Sequence, residues 1–333
     1  MMRIGINGLG RIGRQVLRIA LESHQGGLEV VHVNDLASVD NLAYLLELDT
    51  TYHTRDLAVH GEDNVLMIDG LAISVSAEED PARLPWGEKG VDVVFESTGM
   101  FRTRAGAAKH LAAGAKKVLI SAPGKGMLDG HFVVGINDHR YDRHRHKIIS
   151  TASCTTNCLA PVAKVLDDEF GIEHGMINTI HAYTSSQNLL DGHNSKFRRG
   201  RAAAANLVPT TTGAAATIGL ILPALAGKLH GCAVRSPLKC GSLLDLTCTL
   251  KKGTNVDEVN NVFRHWAEGP LNGILAVDDR ELVSSDIVGK PYSAIVTTKD
   301  TLMVGDRFLK VFAWYDNEWA FSQRCVDMIT RML

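Results

Sequence analysis

Arg3-Ile-Gly-Ile-Asn-Gly-Leu-Gly-Arg-Ile-Gly-Arg-Gln-Val-Leu-Arg18 decides the fold. Arg3 to Asn7 reads as a strand and Arg11 to Ser23 as a helix, with the glycines of Gly8-Leu-Gly10-Arg-Ile-Gly13 between them. In that context each glycine has a task. Gly8 permits the tight turn, Gly10 lets a ligand approach the backbone, and Gly13 lets the helix pack close to the strand. The helix N-terminus, opened by Arg11 and Ile12, offers unpaired N–H groups to a pyrophosphate. Asp35 lies 22 residues after Gly13, at the end of the next apolar run, Leu28 to Val33. A carboxylate there accepts ribose hydroxyls and repels the 2′-phosphate of NADP, so NAD is the expected cofactor.

Outward from this stretch, short apolar runs alternate with helical ones. Helical spacing covers Asp40 to Leu48 and Ala105 to Ala113, and strands are expected at Val91 to Phe95, Lys117 to Ile120 and Lys147 to Ile149. Alternation of that kind gives a doubly wound, parallel α/β sheet. Its strand ends put Ser97, Thr98 and Ser121 on the wall of the cofactor crevice. Near residue 150 the texture changes. One helix, Thr155 to Phe170, precedes strand-like runs at Met176 to Tyr183, Cys232 to Arg235, Leu243 to Leu250, Ala294 to Thr298 and Phe308 to Trp314, with a further helix at Val256 to Glu268. The expectation is an α+β domain with a mostly antiparallel sheet. The division is therefore 1–152 for the cofactor domain and 153–317 for the second.

The bulk properties exclude several classes. With 333 residues, 35 basic and 37 acidic, the formal charge is -2, which favours neither nucleic acid nor an anionic membrane. Lys196, Arg198, Arg199 and Arg201 form a short basic cluster with only Phe197 as an aromatic neighbour, too little for a nucleic-acid platform. Ala202 to Gly227 carries no charge, but its alanines, threonines and two prolines suit a loop and a buried helix better than a membrane span. The six cysteines lie in the second half without CxxC pairing, and no apolar leader precedes Met1-Met-Arg-Ile4, so free thiols in a reducing cytoplasm are expected. Cys232, Cys240 and Cys248 read as core thiols. His139, His144 and His146, among Asp138 and Asp142, read as a solvated turn and not as a metal site.

Two residues stand out chemically. Cys154 begins the helix that follows the last strand of the first domain, where free N–H groups and the helix dipole lower a thiol pKa to ~3.5–7.5. The same N–H groups can hold an oxyanion. His181 ends the strand-like run Met176 to Tyr183, placed to take a proton from a neighbouring thiol. On residue type alone, an inert buried thiol is as open a reading for Cys154, and a hydrogen-bonded core histidine is the commoner one for His181.

Ile4-Gly-Ile-Asn-Gly-Leu-Gly-Arg-Ile-Gly-Arg14, Ala152-Ser-Cys-Thr-Thr-Asn-Cys-Leu-Ala-Pro161, Thr179-Ile-His-Ala-Tyr-Thr184, Pro209-Thr-Thr-Thr-Gly-Ala-Ala215 and Trp314-Tyr-Asp-Asn-Glu-Trp319 together resemble the phosphorylating glyceraldehyde-3-phosphate dehydrogenases over essentially the whole chain. The resemblance implies a Rossmann-type NAD domain, a catalytic domain whose nucleophile opens its first helix, and a C-terminal helix, about 318–333, returning to the first domain. It implies Cys154 as nucleophile and His181 as base, with glyceraldehyde 3-phosphate and inorganic phosphate as substrates. Thr184, Arg199 and Arg235 would hold the substrate phosphate; Ser153, Thr155, Thr212 and Gly213 would hold the attacking one. Arg11 would sit by the pyrophosphate and Asn317 by the nicotinamide amide. A homotetramer is implied too, with the loop Asn188 to Val208 beside the cofactor pocket.

The chain departs from many relatives at Arg235-Ser-Pro-Leu-Lys-Cys-Gly-Ser242, at Ser186 in place of an aspartate, at Phe321 in place of a tyrosine and at Thr151 in place of an asparagine. Erythrose-4-phosphate dehydrogenases are similar across the same motifs but tend to differ at the residues matching Tyr183-Thr184. A non-catalytic NAD-binding redox sensor would be expected to break the phosphate site, whose residues are all present here.

Overall fold

A computed structural model gives the fold, and it describes residues 1–22, 27–52 and 57–332. The expected helix end at Ser23 and the C-terminal residue 333 lie outside the described residues. The chain divides into two compact units, the first made of Met1–Phe132, Arg140–Ala152 and the residues from Ser322 on, the second of Val133–His139 and Ser153–Phe321.

The first unit is built on nine strands: β1 (Met2–Asn7), β2 (Leu28–Asn34), β3 (Val59–Glu62), β4 (Val65–Ile68), β5 (Leu71–Ser76), β6 (Val93–Glu96), β7 (Lys117–Ile120), β8 (Gly130–His131) and β9 (Ile148–Ser150). They lie in the order β3-β4-β5-β2-β1-β6-β7-β9-β8. From β5 to β8 every neighbour is parallel. Both faces of such a sheet are covered, so its central strands are apolar throughout. Ile4, Ile6, Val33, Val93, Phe95, Val118 and Ile120 are accordingly buried. Helices α1 (Arg11–Glu22), α2 (Val39–Glu47) and α3 (Arg104–Ala112) belong to this unit; Ser38 and Thr103 cap the last two by accepting N–H bonds from Asn41 and Gly106.

The antiparallel edge β3-β4-β5 goes beyond what the sequence pattern foretells. Two tight hairpins make it, with Asp63 and Asn64 at φ 46° and 61°, and Asp69 and Gly70 at φ 49° and 82°. Left-handed residues in two-residue loops match the strand twist, and Asp69-Gly70 is the one signal of them in the sequence.

β2 also carries a buried histidine. His32 pairs its two ring nitrogens with Ser74 Oγ and Ser76 Oγ, each at 2.8 Å, and meets the Trp86 ring edge-on. Burial, helped by the charge of Lys89, pushes its pKa down to about 4 from an ordinary 6.5. Between those values the unfolded chain binds more protons than the folded one, so stability falls as pH drops from 6.5 towards 4 and then levels. The expected contribution between pH 7.5 and 5 is about 2 kcal/mol. Urea unfolding of His32→Gln beside the parent checks it; an acid loss of equal size in both proteins rejects the assignment.

The second unit holds β10 (Ile172–Ala182), β11 (Val208–Thr211), β12 (Leu229–Ser236), β13 (Ser242–Leu250), β14 (Leu275–Asp278), β15 (Ala294–Thr297), β16 (Leu302–Val304) and β17 (Phe308–Tyr315), in the order β11-β12-β10-β13-β17-β15-β14 with β16 on β17. The sheet is mixed. Antiparallel ladders predominate, and β10–β12 and β14–β15 are parallel. Helix α4 (Cys154–Glu169) lies across β10, β13, β15 and β17, and buries Leu159, Val162, Val165 and Leu166. Helices α5 (Ala214–Ile221) and α6 (Val256–Glu268) complete the unit, while α7 (Trp319–Arg331) begins in it and joins the first from Ser322. Val133–His139 clusters here because Gly135, at φ 81°, packs against Ile274 and Leu271. None of the helices among the described residues is long and apolar enough to cross a membrane.

Alternation along β12 leaves Cys232 exposed, while Cys240 and Cys248 are buried. The expectation of three core thiols is thus corrected for Cys232: its side chain falls on the open face of β12, beside Asn178.

Candidate functional site

In the first unit, β1 delivers the chain into the glycine turn. Gly8 sits at φ 94°, and a Cβ on it would lie 2.8 Å from Thr98 N. A Cβ on Gly13 would come within 2.1 Å of Gly8 O, so no larger residue fits where α1 meets the strand. Gly10 faces open space, where an added Cβ would meet nothing within 4 Å. Asp35 stands beside this turn, accepting from Leu9 N at 2.7 Å and Ala37 N at 3.0 Å. Ser97 Oγ donates to Gly8 O at 2.6 Å; Ser97 and Ser121 follow directly after β6 and β7, and Thr98 comes next after Ser97. An open glycine, a helix N-terminus and a carboxylate at one set of strand ends fit a dinucleotide.

Arg11 opens α1 at the glycine turn. Its guanidinium bonds Asp49 at 2.8 Å and lies over the Tyr52 ring. Burial would raise the Asp49 carboxyl, but the Arg11 hydrogen bond and the N–H groups of Thr51 and Tyr52 outweigh it and hold it well below the usual range.

In the second unit, Ser153 caps α4 by accepting from Thr156 N at 3.1 Å, which sets Cys154 as the first helical residue. Cys154 Sγ lies 3.3 Å from His181 Nε2. His181 Nδ1 is 2.7 Å from the carbonyl of Ala182, and a proton donated there leaves Nε2 free to accept. Parallel pairing of β10 with β12 sets His181 opposite Arg235, whose Nη1 donates to the same Ala182 carbonyl at 3.0 Å and sets its charge 2.9 Å from Nδ1.

These neighbours set the charges. Burial and the Arg235 charge push His181 down to about 3. Burial also pushes the Cys154 thiol up, against the pull of Arg235 and the Thr155 N–H. Desolvation thus opposes the lowering expected of a thiol at a helix N-terminus.

Arg235 also reaches Thr184 Oγ1 at 3.5 Å, and Thr184 bonds Ser186 Oγ at 2.9 Å. Arg199 donates to Ser186 Oγ, Thr210 Oγ1 and the Thr211 carbonyl, and Lys196 Nζ to Thr211 Oγ1. Burial lowers the proton affinity of Arg199, Arg235 and Lys196, and the charge of Arg235 lowers Arg199 and Lys196 further. Three cations held by neutral acceptors, with no carboxylate partner among the described residues, make an anion cradle. Ser186 meets Arg199 with a hydroxyl and brings no compensating charge.

In the second expected anion set the hydroxyls already have partners. Ser153 Oγ is occupied by the α4 cap, and Thr155 Oγ1 by Tyr315 OH at 2.9 Å, leaving their backbone N–H groups. Thr212 Oγ1 accepts from Ala214 N, and Gly213 caps α5 with open space about it.

Sequence reasoning missed two supporting residues. Tyr315 bonds Thr155 and Thr179 and stands edge-on to His181 at 5.9 Å. Ser242 accepts from Ala182 N and donates to Asn317 Oδ1, which assigns the Asn317 amide nitrogen as the donor end of that side chain. Tyr315 lies inside the Trp314–Trp319 motif, whereas Ser242 gives no signal until β10 and β13 are paired. No metal-binding group of three His, Cys, Asp or Glu occurs among the described residues.

A dinucleotide turn on one sheet, with a thiol–imidazole pair beside an anion cradle on another, defines a dinucleotide-dependent dehydrogenase. Residues 2–104 match the glyceraldehyde 3-phosphate dehydrogenase NAD binding domain, and residues 153–317 match its C-terminal domain. The chain is 53% identical over 329 residues to glyceraldehyde-3-phosphate dehydrogenase of Kitasatospora aureofaciens, covering 99% of this chain and 98% of that one. It is 49% identical to glyceraldehyde-3-phosphate dehydrogenase 1 of Bacillus subtilis over 98% and 97% of the two chains. The Mycobacterium tuberculosis enzyme of that name is 50% identical over 99% and 98%. The chain belongs to the glyceraldehyde 3-phosphate dehydrogenase family, and NAD is its cofactor.

Proposed function

We propose that the protein oxidises glyceraldehyde 3-phosphate to 1,3-bisphosphoglycerate with NAD and inorganic phosphate, through a thioester on Cys154. The observation that carries this reading is that one guanidinium, Arg235, touches both the base His181 and the cradle residue Thr184.

His181 Nε2 takes the Cys154 proton as sulfur bonds the aldehyde carbon, and returns it to the carbonyl oxygen to complete the hemithioacetal. The N–H groups at the start of α4 stabilise the developing oxyanion. His181 then removes the hydroxyl proton as the C–O double bond reforms. Gly8, Gly10, Ile12, Gly13 and Asp35 would hold NAD, whose nicotinamide would supply the oxidation as a hydride acceptor. The resulting thioester is attacked by phosphate at its carbonyl carbon, the C–S bond breaks, and Cys154 leaves as thiolate. Arg199, Arg235 and Thr184 hold the substrate phosphate; the N–H groups of Ser153 and Thr155, with Thr212 and Gly213, hold the attacking one.

A homotetramer in the cytoplasm is the proposed working form. Leu189, Leu190 and Phe197 of the loop Asn188 to Val208 are 75%, 75% and 88% exposed in the single chain, an apolar surface that suits subunit contact.

Initial rates test the reading. Oxidation is expected to require phosphate, with arsenate as a substitute, and to favour the triose over erythrose 4-phosphate by at least about tenfold. A tetrose must bend to reach both Cys154 and the cradle, and misplacement of about 1 Å costs ~10²-fold. Turnover unchanged without phosphate refutes the thioester route; predominant 4-phosphoerythronate in a competition refutes the substrate.

A further inference from the structure

Beneath the glycine turn lies a buried carboxyl group that the mechanism does not use. Glu96, at the end of β6, is 1% exposed. Its Oε1 accepts from Thr98 N at 2.9 Å and from the Thr98 hydroxyl, while Oε2 accepts from Asn7 Nδ2 at 2.7 Å and meets His110 Nε2 at 3.0 Å.

Groups with only one possible role fix the direction of these bonds. The backbone N–H of Glu78 donates to Asn34 Oδ1, so Asn34 Nδ2 donates to Asn7 Oδ1 at 2.8 Å, and Asn7 Nδ2 must donate to Glu96. At the other end, Trp86 Nε1, a donor only, bonds His110 Nδ1 at 3.0 Å, so His110 Nε2–H also points at Glu96. With Thr98 N–H and O–H, four donors converge on two oxygens, so Glu96 is an acceptor-only hub tying together the ends of β1, β2 and β6.

Thr98 is the member that faces outward. It is exposed, and its backbone N stands 2.8 Å from where a Gly8 Cβ would be. Ser97, between Glu96 and Thr98, donates to Gly8 O at 2.6 Å. The segment Ser97-Thr98 is therefore pressed against the turn, and the link from Thr98 to Glu96 sets its position. Glutamine cannot replace Glu96, because its amide N–H₂ would face either the two Thr98 donors or the Asn7 and His110 donors.

We propose that Glu96 is a positioning residue for NAD, acting through Thr98 to hold the wall of the glycine turn in its binding shape. The inference rests on the reading of that turn as the NAD site. Calorimetric titration of NAD into the unliganded protein tests it, with the parent as reference. Glu96→Gln is expected to raise the NAD Kd at least about tenfold, with the rate of Cys154 alkylation in the free protein and the KM for the aldehyde phosphate unchanged. A merely structural role would lower Tm without that split. Thr98→Val removes the hydroxyl donor on an exposed residue and is expected to weaken NAD severalfold; Thr98→Ser, which keeps it, is expected to bind like the parent. Glu96→Gln with Thr98→Val is expected to be little worse than Glu96→Gln alone, since both break one link. An NAD Kd within twofold of the parent in folded Glu96→Gln overturns the proposal. If Glu96→Gln does not fold, parent-like binding by Thr98→Val does the same. A parent protein that fails to bind NAD overturns the site reading itself.

Discussion

Cys154→Ser is expected to lower aldehyde oxidation at least ~10⁴-fold. Serine keeps the helix cap and the position 3.3 Å from His181 Nε2, but an alcohol is far less acidic and less nucleophilic than a thiol. His181, held to about 3 by burial and Arg235, takes a proton from a thiol far more readily than from a serine hydroxyl. NAD binding should survive, because Gly8, Gly13 and Asp35 belong to the other unit. Steady-state rates beside NAD calorimetry separate the two. Activity within about 100-fold of the parent would place the nucleophile elsewhere. Cys158 is the nearest alternative in sequence, yet it is wholly buried and burial raises its thiol further than that of Cys154.

His181→Asn is the second large effect, with kcat expected to fall ~10²–10⁴-fold, the usual worth of a positioned proton acceptor. Cys154 should also alkylate more slowly with iodoacetamide, since no imidazole accepts the thiol proton. The pH dependence follows from the direction of the shifts. Burial raises the Cys154 thiol, so the reactive thiolate fraction and the alkylation rate should climb through the neutral range. His181 stays neutral there and contributes no acid limb above pH 4. A kcat within threefold of the parent, or alkylation falling as pH rises from 6 to 8, would reject the pair. KM for the aldehyde phosphate should change less than kcat, because Arg235 keeps its bonds to Ala182 O and Thr184.

The fold is legible wherever local physics decides it. β1, β7 and α6 fall within a residue or two of their expected bounds, because each carries its own period and its own stop signal. The β3–β4–β5 edge is not legible in that way. Val59–Glu62 and Leu71–Ser76 are short and half exposed, and their stability comes from pairing, which a linear pattern shows weakly. Cys232 escapes a linear reading for a related reason: its face depends on the register of β12 against β10 and β11.

The sequence by itself determined the glycine turn, the acidic residue after β2, the cysteine at a helix start and the family to which these motifs belong. Each of those needs only residue type and short spacing, since a φ of 94° at Gly8 or a cap by Ser153 is a local demand on the chain. Tertiary structure alone decided the chemistry around them. Strand pairing set Arg235 against His181 over 54 residues, burial raised the Cys154 thiol, Asp49 drew in the Arg11 guanidinium, and four donors met at Glu96. Charge and proton affinity depend on what is buried beside a group, and burial is a property of the folded chain.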